Sequence, residues 1–279
     1  MSLRALLTLP YVALLLSLAA VVGWLSYRAA DQSVDELAGR LSAEATNRIS
    51  DTTVAYLNNW HYVLAAAAVD RWDGAKPQAL QKAETDLWHA SAVSNVRPSY
   101  VYLATADGRF VGVQRPLAGP ALLKWREVGR QPRRQLYEIQ AAGDRRQPVG
   151  VEPDPYNAVE RPWFQRASES QDAVWSPVYL DHSLHQPMVT LARAYRHAQG
   201  PLHGEVSHVV GADVPLAYLQ TFLQSLDIVP GGIAFIMSRD GKLVASSNAT
   251  HALLPNTRTL PALSQHADPL LSQAVRTLG

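Results

Sequence analysis

Between Arg4 and Arg28 the chain carries no charged residue: 23 positions, Ala5 to Tyr27, dominated by Leu, Ala and Val. Coiled as an α-helix, at about 1.5 Å per residue, such a run is long enough to cross a hydrocarbon core of about 30 Å. Tyr11, Trp24 and Tyr27 lie near its two ends, where interfacial aromatics belong. A cleaved signal sequence is expected to have a shorter apolar region, about 7–15 residues, followed by a small-residue cleavage site. Here the run continues through Trp24-Leu25, and Arg28-Ala29-Ala30 is a poor cleavage context. The segment therefore reads as an uncleaved transmembrane helix over 8–27, with 1–7 ahead of it. Charge does not orient it well, because Arg4 precedes the span and Arg28 follows it.

The next segment keeps a helical period. Leu37, Leu41, Ala45, Ile49, Val54, Leu57 and Val63-Leu64 recur at three- to four-residue spacing, and proline is absent from 11 to 76. This predicts one long stalk helix over about 31–70, entering directly from the membrane span. Trp72-Asp-Gly-Ala-Lys-Pro77 ends it with breakers, and a second helix is expected from Pro77 to about Ala92.

The period then changes to alternation. Tyr100-Val-Tyr-Leu-Ala-Thr, Asp107-Gly108, then Phe110-Val-Gly-Val-Gln reads as strand, tight turn, strand. Residues 116–132 read as loop or short helix, Gln135–Gln140 as a strand, and Pro148–Pro155 as irregular. A short helix is expected over Arg161–Ser168 with Pro162 at its start. Val174–Leu180, Pro187–Arg196 and Val206–Val214 are three further strand candidates. Leu216–Leu226 has a helical pattern, and the hairpin theme returns around Asp240-Gly241, which suggests a second unit of the same kind. A start of helix over Asp268–Leu278 follows, so the second unit reads as unfinished. The order predicts an α+β fold with antiparallel sheets backed by helices.

Composition closes several function classes. The chain has no Cys, which excludes a disulfide scaffold, an iron–sulfur cluster, thiolate zinc and a cysteine nucleophile. Its net charge is +1, with Arg133-Arg134 and Arg145-Arg146 as isolated basic pairs, so no field draws it to nucleic acid. Five of the nine His lie at 182, 185, 197, 203 and 208, but without a helical spacing or a fixed acidic partner they read as turn residues and not as a metal site. No phosphate loop, nucleophile elbow, zinc-protease motif or dinucleotide fingerprint is present. No cofactor and no enzyme activity are expected of these residues.

The stretch Tyr156–Asp181 carries the chemistry. Arg161 presents a planar fork suited to a carboxylate. Trp163, Phe164, Trp175 and Tyr179 supply apolar walls, and Asp181 an anion for an ammonium. Both charge signs among aromatics suit a small zwitterion. The residues alone leave a second reading open, in which the aromatics are simply core.

Taken together, the membrane span, the long helix, the Asp-Gly hairpin, Tyr156-x4-Arg161-Pro-Trp163-Phe164, Trp175-Ser-x-x-Tyr179 and Val-Val-Gly-Ala-Asp213-Val resemble the double Cache sensor domains of bacterial transmembrane receptors. The resemblance covers residues 8 to 250 in layout, with 156–181 and 206–214 at the level of motifs. It implies a homodimer in the bacterial inner membrane with its sensor domain in the periplasm. It further implies two PAS-like modules: a membrane-distal ligand-binding module over 77–214, above a stalk at 28–76, and a membrane-proximal module over 215–279, apparently truncated. In the amino-acid-binding subgroup it implies that Arg161 and Trp163 hold a ligand carboxylate with Tyr179 nearby, while Tyr156, Asp181 and Asp213 surround the ammonium. Phe164 stands where that subgroup usually has Tyr.

The expected function is sensing of a small ligand, an amino acid foremost. The signal would pass through the stalk and membrane helices to a cytoplasmic output domain of a cyclase, histidine kinase or chemoreceptor. An amine, carboxylate or purine sensor, a ligand-free dimerisation module and an anchored periplasmic enzyme are the alternatives.

Overall fold

The computed structural model describes residues 3–67, 76, 78–93, 99–116, 118–129, 132–145, 148–228, 232–248, 260, 262–263 and 268–278. The chain divides into two units, Met1–Asp51 with Ile228–Gly231, and Thr52–Asp227 with Gly232–Gly279.

The first unit is the leading part of helix α1, Leu3–Ala66. Within it Leu14–Ser33 has a mean hydropathy of 1.2, is 0% buried, and by length and composition can cross a membrane. It overlaps the expected span of 8–27. The stalk is helical as far as Ala66; the expected helix end near 70 and, of the expected breakers, residues 72–75 and Pro77 lie outside the described residues.

The second unit holds the sheet. Its helical layer is the last turns of α1 and helix α2, Ala79–Val93. Trp60, Val63-Leu64 and Ala67 on α1, and Leu80, Ala83, Leu87 and Ala90 on α2, recur every three to four residues and are buried. That spacing puts each set on one stripe of its helix.

The strands are β1 Ser99–Thr105, β2 Phe110–Arg115, β3 Ala121–Arg126, β4 Gln135–Ile139 and β5 Gly150–Val151. After a 3-10 turn at Ala158–Glu160 and helix α3, Pro162–Ser168, come β6 Val174–Trp175, β7 Tyr179–Leu180, β8 Pro187–Arg196 and β9 Val206–Pro215. They form a nine-stranded sheet in the order β5-β4-β3-β2-β1-β9-β8-β6, with β7 also on β8. Every pairing is antiparallel, as the alternating pattern predicts. The β1–β2 turn falls at Asp107-Gly108, where Gly108 takes a φ of 91°.

Three expectations need correction. Residues 116–132 contain β3, hidden because its lysine is buried: Ala121, Leu123 and Trp125 face the helices, and Lys124 faces the other way. Residues 148–155 include the short β5. The single strand expected over 174–180 is two, β6 and β7, interrupted at Ser176-Pro177, since proline cannot donate to a ladder.

Helix α4, Leu216–Gln224, follows β9, and β10 Phe235–Met237 pairs with β11 Leu243–Ser246 as a separate two-stranded sheet around the expected Asp240-Gly241 turn. Helix α5, Pro269–Leu278, ends the described chain. Leu243, Leu263 and Leu271 form a small core of their own.

Candidate ligand-binding site

Strand alternation gives the sheet two faces with different work. On β1, Val101 and Leu103 enter the core against α1 and α2, while Tyr100, Tyr102 and Ala104 belong to a second buried cluster on the opposite face. On β9 the same split puts Val210, Ala212 and Val214 on the helix side. Antiparallel register then aligns the other set in rows. Gln114, Tyr100, Asp213 and Thr190 are successive partners across β2, β1, β9 and β8. One step along, Lys124, Gly112, Tyr102, Gly211 and Ala192 form the next row from β3 to β8.

The two glycines make that second row possible. A Cβ at Gly211 would stand 2.6 Å from Tyr102 Cε2, and one at Gly112 would stand 2.8 Å from Tyr102 Cβ and 2.9 Å from Tyr100 Cε2. The tyrosine rings therefore lie flat on the sheet. Tyr102 stacks on Phe110 at 5.5 Å and meets Trp163 edge-on at 4.8 Å.

Asp213 sits at the centre of this face and is 4% exposed. Its Oδ1 accepts from Tyr102 O–H and Thr190 O–H, both at 2.6 Å, and from Tyr179 O–H at 3.3 Å. Burial pushes the carboxyl up to about 6, against the hydroxyls of Thr190 and Tyr102 that pull it down and with the Asp181 charge that adds to the rise. No cation is hydrogen-bonded to it among the described residues, so a ligand cation would relieve this cost.

A second buried group lies beside it. Glu152 accepts from Arg134 Nε at 2.5 Å and Nη2 at 2.9 Å, from Lys124 Nζ at 3.0 Å and from Ser183 Oγ at 2.6 Å. Burial raises the Glu152 carboxyl, but the Arg134 charge and its hydrogen bonds, with Lys124, overcome this and hold it at about 2. The Arg134 guanidinium also lies over the Tyr156 ring at 3.5 Å. With the Asp181 carboxylate also within electrostatic range of Lys124, this cluster is a scaffold whose charges are largely matched.

Arg161 caps the start of α3. Its Nη2 donates to Leu180 O at 2.6 Å and its guanidinium lies 5.1 Å over Tyr179. Its remaining donors meet no acceptor among the described residues. Asp181 Oδ2 accepts from the backbone N–H groups of Ser183 at 2.8 Å and Leu184 at 2.5 Å, which fixes the β7–β8 turn.

Two cavities open between these groups. The smaller, about 10 Å³, has Arg161, Trp163, Tyr156 and Tyr179 in its wall, along with Arg134 and His182. The larger, about 180 Å³, is walled by Gln114, Lys124, Leu184, Gln186, Met188 and Tyr218. Tyr100, Asp181 and Asp213 line both, so the two lobes adjoin.

Of the residues singled out in the sequence, Tyr156, Arg161, Trp163, Tyr179, Asp181 and Asp213 thus come together around the small lobe. Phe164 and Trp175 do not. Phe164 is buried beside Trp163, with ring centroids 5.5 Å apart, Trp175 packs against the helix-side core, and both lie outside the two lobes. Sequence reasoning missed Tyr100, Tyr102, Lys124, Arg134, Glu152 and Thr190. Tyr100 and Tyr102 read as strand residues, and Arg134 as half of an isolated basic pair. His182, read as a turn residue in preference to a metal ligand, packs edge-on against Tyr156 at 5.0 Å; burial and the nearby Arg134 charge lower its pKa.

The chain is similar to known sensor domains. Residues 135–221 match the family model of the methyl-accepting chemotaxis protein-like first PDC sensor domain. Over 97 residues the chain is 31% identical to the methyl-accepting chemotaxis protein PctB of Pseudomonas aeruginosa, covering 35% of this chain but only 15% of that receptor's length. The ligand-binding domain of the Pseudomonas fluorescens chemoreceptor CtaA, solved in complex with L-isoleucine, superposes with a TM-score of 0.52 at 19% identity, over 83% of this chain and 74% of that one. That of the Campylobacter jejuni chemoreceptor Tlp3, solved in complex with L-valine, gives 0.50 at 16% identity, over 84% and 76%. These two likenesses are of fold. Residues 135–221 are thus similar to the first PDC sensor domain of methyl-accepting chemotaxis protein-like receptors.

Proposed function

We propose that the protein is a membrane-anchored receptor whose extracytoplasmic sensor domain binds a free amino acid in the cleft between Arg161 and Asp213. The observation that carries this reading is the pairing of an under-used guanidinium with two carboxylates across one small lobe. Arg161 has donors to spare for a carboxylate, while Asp213 is a buried anion that no cation among the described residues hydrogen-bonds. The small lobe has room for about one water-sized group, so its walls must part for a ligand carboxylate to reach Arg161. The ammonium then falls at the junction, next to Asp181 and Asp213. The side chain extends into the larger lobe. That CtaA and Tlp3 were solved with aliphatic amino acids is consistent with such a ligand class.

Signal output follows from the two-faced sheet. Strand β1 carries Tyr100 and Tyr102 in the site and Val101 and Leu103 against the helix layer. A ligand that draws the Arg161 and Asp213 sides together favours a closed arrangement already accessible to the domain. Because Trp60, Val63 and Leu64 of α1 pack in the same core as Val101 and Leu103, that shift reaches α1. A homodimer would pass it through the inner membrane to a chemoreceptor-type output.

Calorimetric titration of the full chain in detergent with amino acids, amines, carboxylates and purines tests the proposal. Binding confined to α-amino acids supports it. Binding by purines or simple carboxylates, with amino acids silent, refutes it.

A further inference from the structure

The proposed function leaves the ligand's side chain undefined, and the larger lobe supplies it. Lys124 is 5% exposed and projects from the ligand face of β3 into the wall of that lobe. An ammonium has three protons to donate. Two are taken, by Glu152 Oε1 at 3.0 Å and Ser183 Oγ at 2.7 Å. The third meets no acceptor among the described residues. Glu152 cannot neutralise Lys124 alone, because the same carboxylate already holds Arg134 through both of its oxygens. Lys124, Arg134 and Glu152 together carry one net positive charge, which the nearby Asp181 carboxylate offsets, but the ammonium's third proton is left unclaimed beside the larger lobe. The amides of Gln114 and Gln186 line the same lobe.

Resting on the amino-acid reading above, we infer that the ligand side chain ends in an oxygen acceptor, a carboxylate or carboxamide, which takes the free proton of Lys124. An apolar side chain in that lobe would bury the lysine's third donor with nothing to receive it, and an unmet buried donor is costly. A cationic side chain would face Lys124 directly. Leu184 and Met188 line the path and suit the methylenes between the α-carbon and the terminal acceptor.

The test compares L-glutamate and L-glutamine with L-norleucine, of similar length but apolar, by titration calorimetry on the full chain. The wild-type protein should bind at least one of the two acceptor-bearing ligands tenfold or more tighter than norleucine. Lys124→Met should bring that ratio to within about threefold of unity, while circular dichroism stays that of the wild type. Should Lys124→Met fail to fold, Lys124→Gln, which keeps a neutral donor, takes its place and should favour glutamine over glutamate. Norleucine binding as tightly as both acceptor-bearing ligands would overturn this inference and leave the amino-acid reading intact. So would a selectivity that survives the loss of the ammonium. No binding by any amino acid would overturn both.

Discussion

Asp213 is the residue on which the site turns, and its burial gives it a pH signature. Its pKa is raised in the folded protein from 3.8 to about 6. A carboxyl shifted upward favours folding below its unfolded value, and that contribution is lost as pH rises through about 6. Asp213→Asn should therefore leave the ligand-free protein at least as resistant to urea at pH 7 as the wild type, while amino-acid binding disappears. In the wild type, an ammonium needs the ionised carboxylate. Affinity should fall as pH drops below about 6, approaching tenfold per pH unit; a flat profile between pH 7 and 5 would remove Asp213 from the ammonium site. Glu152 behaves in the opposite sense. Its pKa is lowered from 4.5 to about 2, so its contribution is present above the unfolded value and is lost as pH falls through about 2. Glu152→Gln would strand Arg134 and Lys124 as buried cations, at a cost of roughly 3–5 kcal/mol, readable as a lower urea midpoint at pH 7. The sequence made Arg161 and Asp181 legible because charges among aromatics stand out in a single stretch. It hid Glu152 and Arg134, since an ion pair separated by 18 residues leaves no local pattern.

At the scale of elements, β8 and β9 were legible to within a residue because ten-residue alternating runs are long enough to show their period. Strand β3 was not. Its buried Lys124 and half-buried Arg126 read as polar loop residues until the sheet's second face is seen to be an ion-bearing pocket. Strands β6 and β7 were fused in the reading because a two-residue strand carries too little pattern to show a break. The pairing of β1 with β9 joins positions over a hundred residues apart and could not be read from local spacing, yet it is what brings Tyr102 to Gly211 and Asp213. Gly211 is thus a positional requirement. Gly211→Ala would put a methyl carbon 2.6 Å from the Tyr102 ring, and because β1 and β9 are central strands the backbone has little room to give. The expected outcome is loss of the Tyr102–Asp213 hydrogen bond, at least a tenfold weaker ligand affinity, and about 1–3 kcal/mol of lost stability from overpacking. Unchanged calorimetry and an unchanged melting temperature would show that the ring can move aside freely.

Across the whole molecule, one sheet separates two tasks. Its helix-facing side is an apolar core shared with the end of α1, and its other side is a polar pocket built from the alternate residues of the same strands. The α+β class could be seen from the order of periods, helix then alternation, and the Cache-type resemblance from the motifs at 156–181 and 206–214, but the nine-stranded order needed the structure. The second hairpin, β10–β11, forms its own small sheet, as its Asp-Gly turn anticipated. The account stands on one claim: that the cleft holds both ends of an α-amino acid at once, carboxylate at Arg161 and ammonium at Asp181 and Asp213. The most direct measurement is calorimetric titration of the full chain with an amino acid that binds, alongside its N-acetyl derivative and the amine left by removing its carboxylate. The account predicts that each altered ligand binds at least a hundredfold more weakly, a loss of about 2.8 kcal/mol or more, and that Arg161→Ala weakens the intact amino acid by a similar factor with the fold preserved. Equal binding by either derivative, or wild-type affinity in Arg161→Ala, would contradict it.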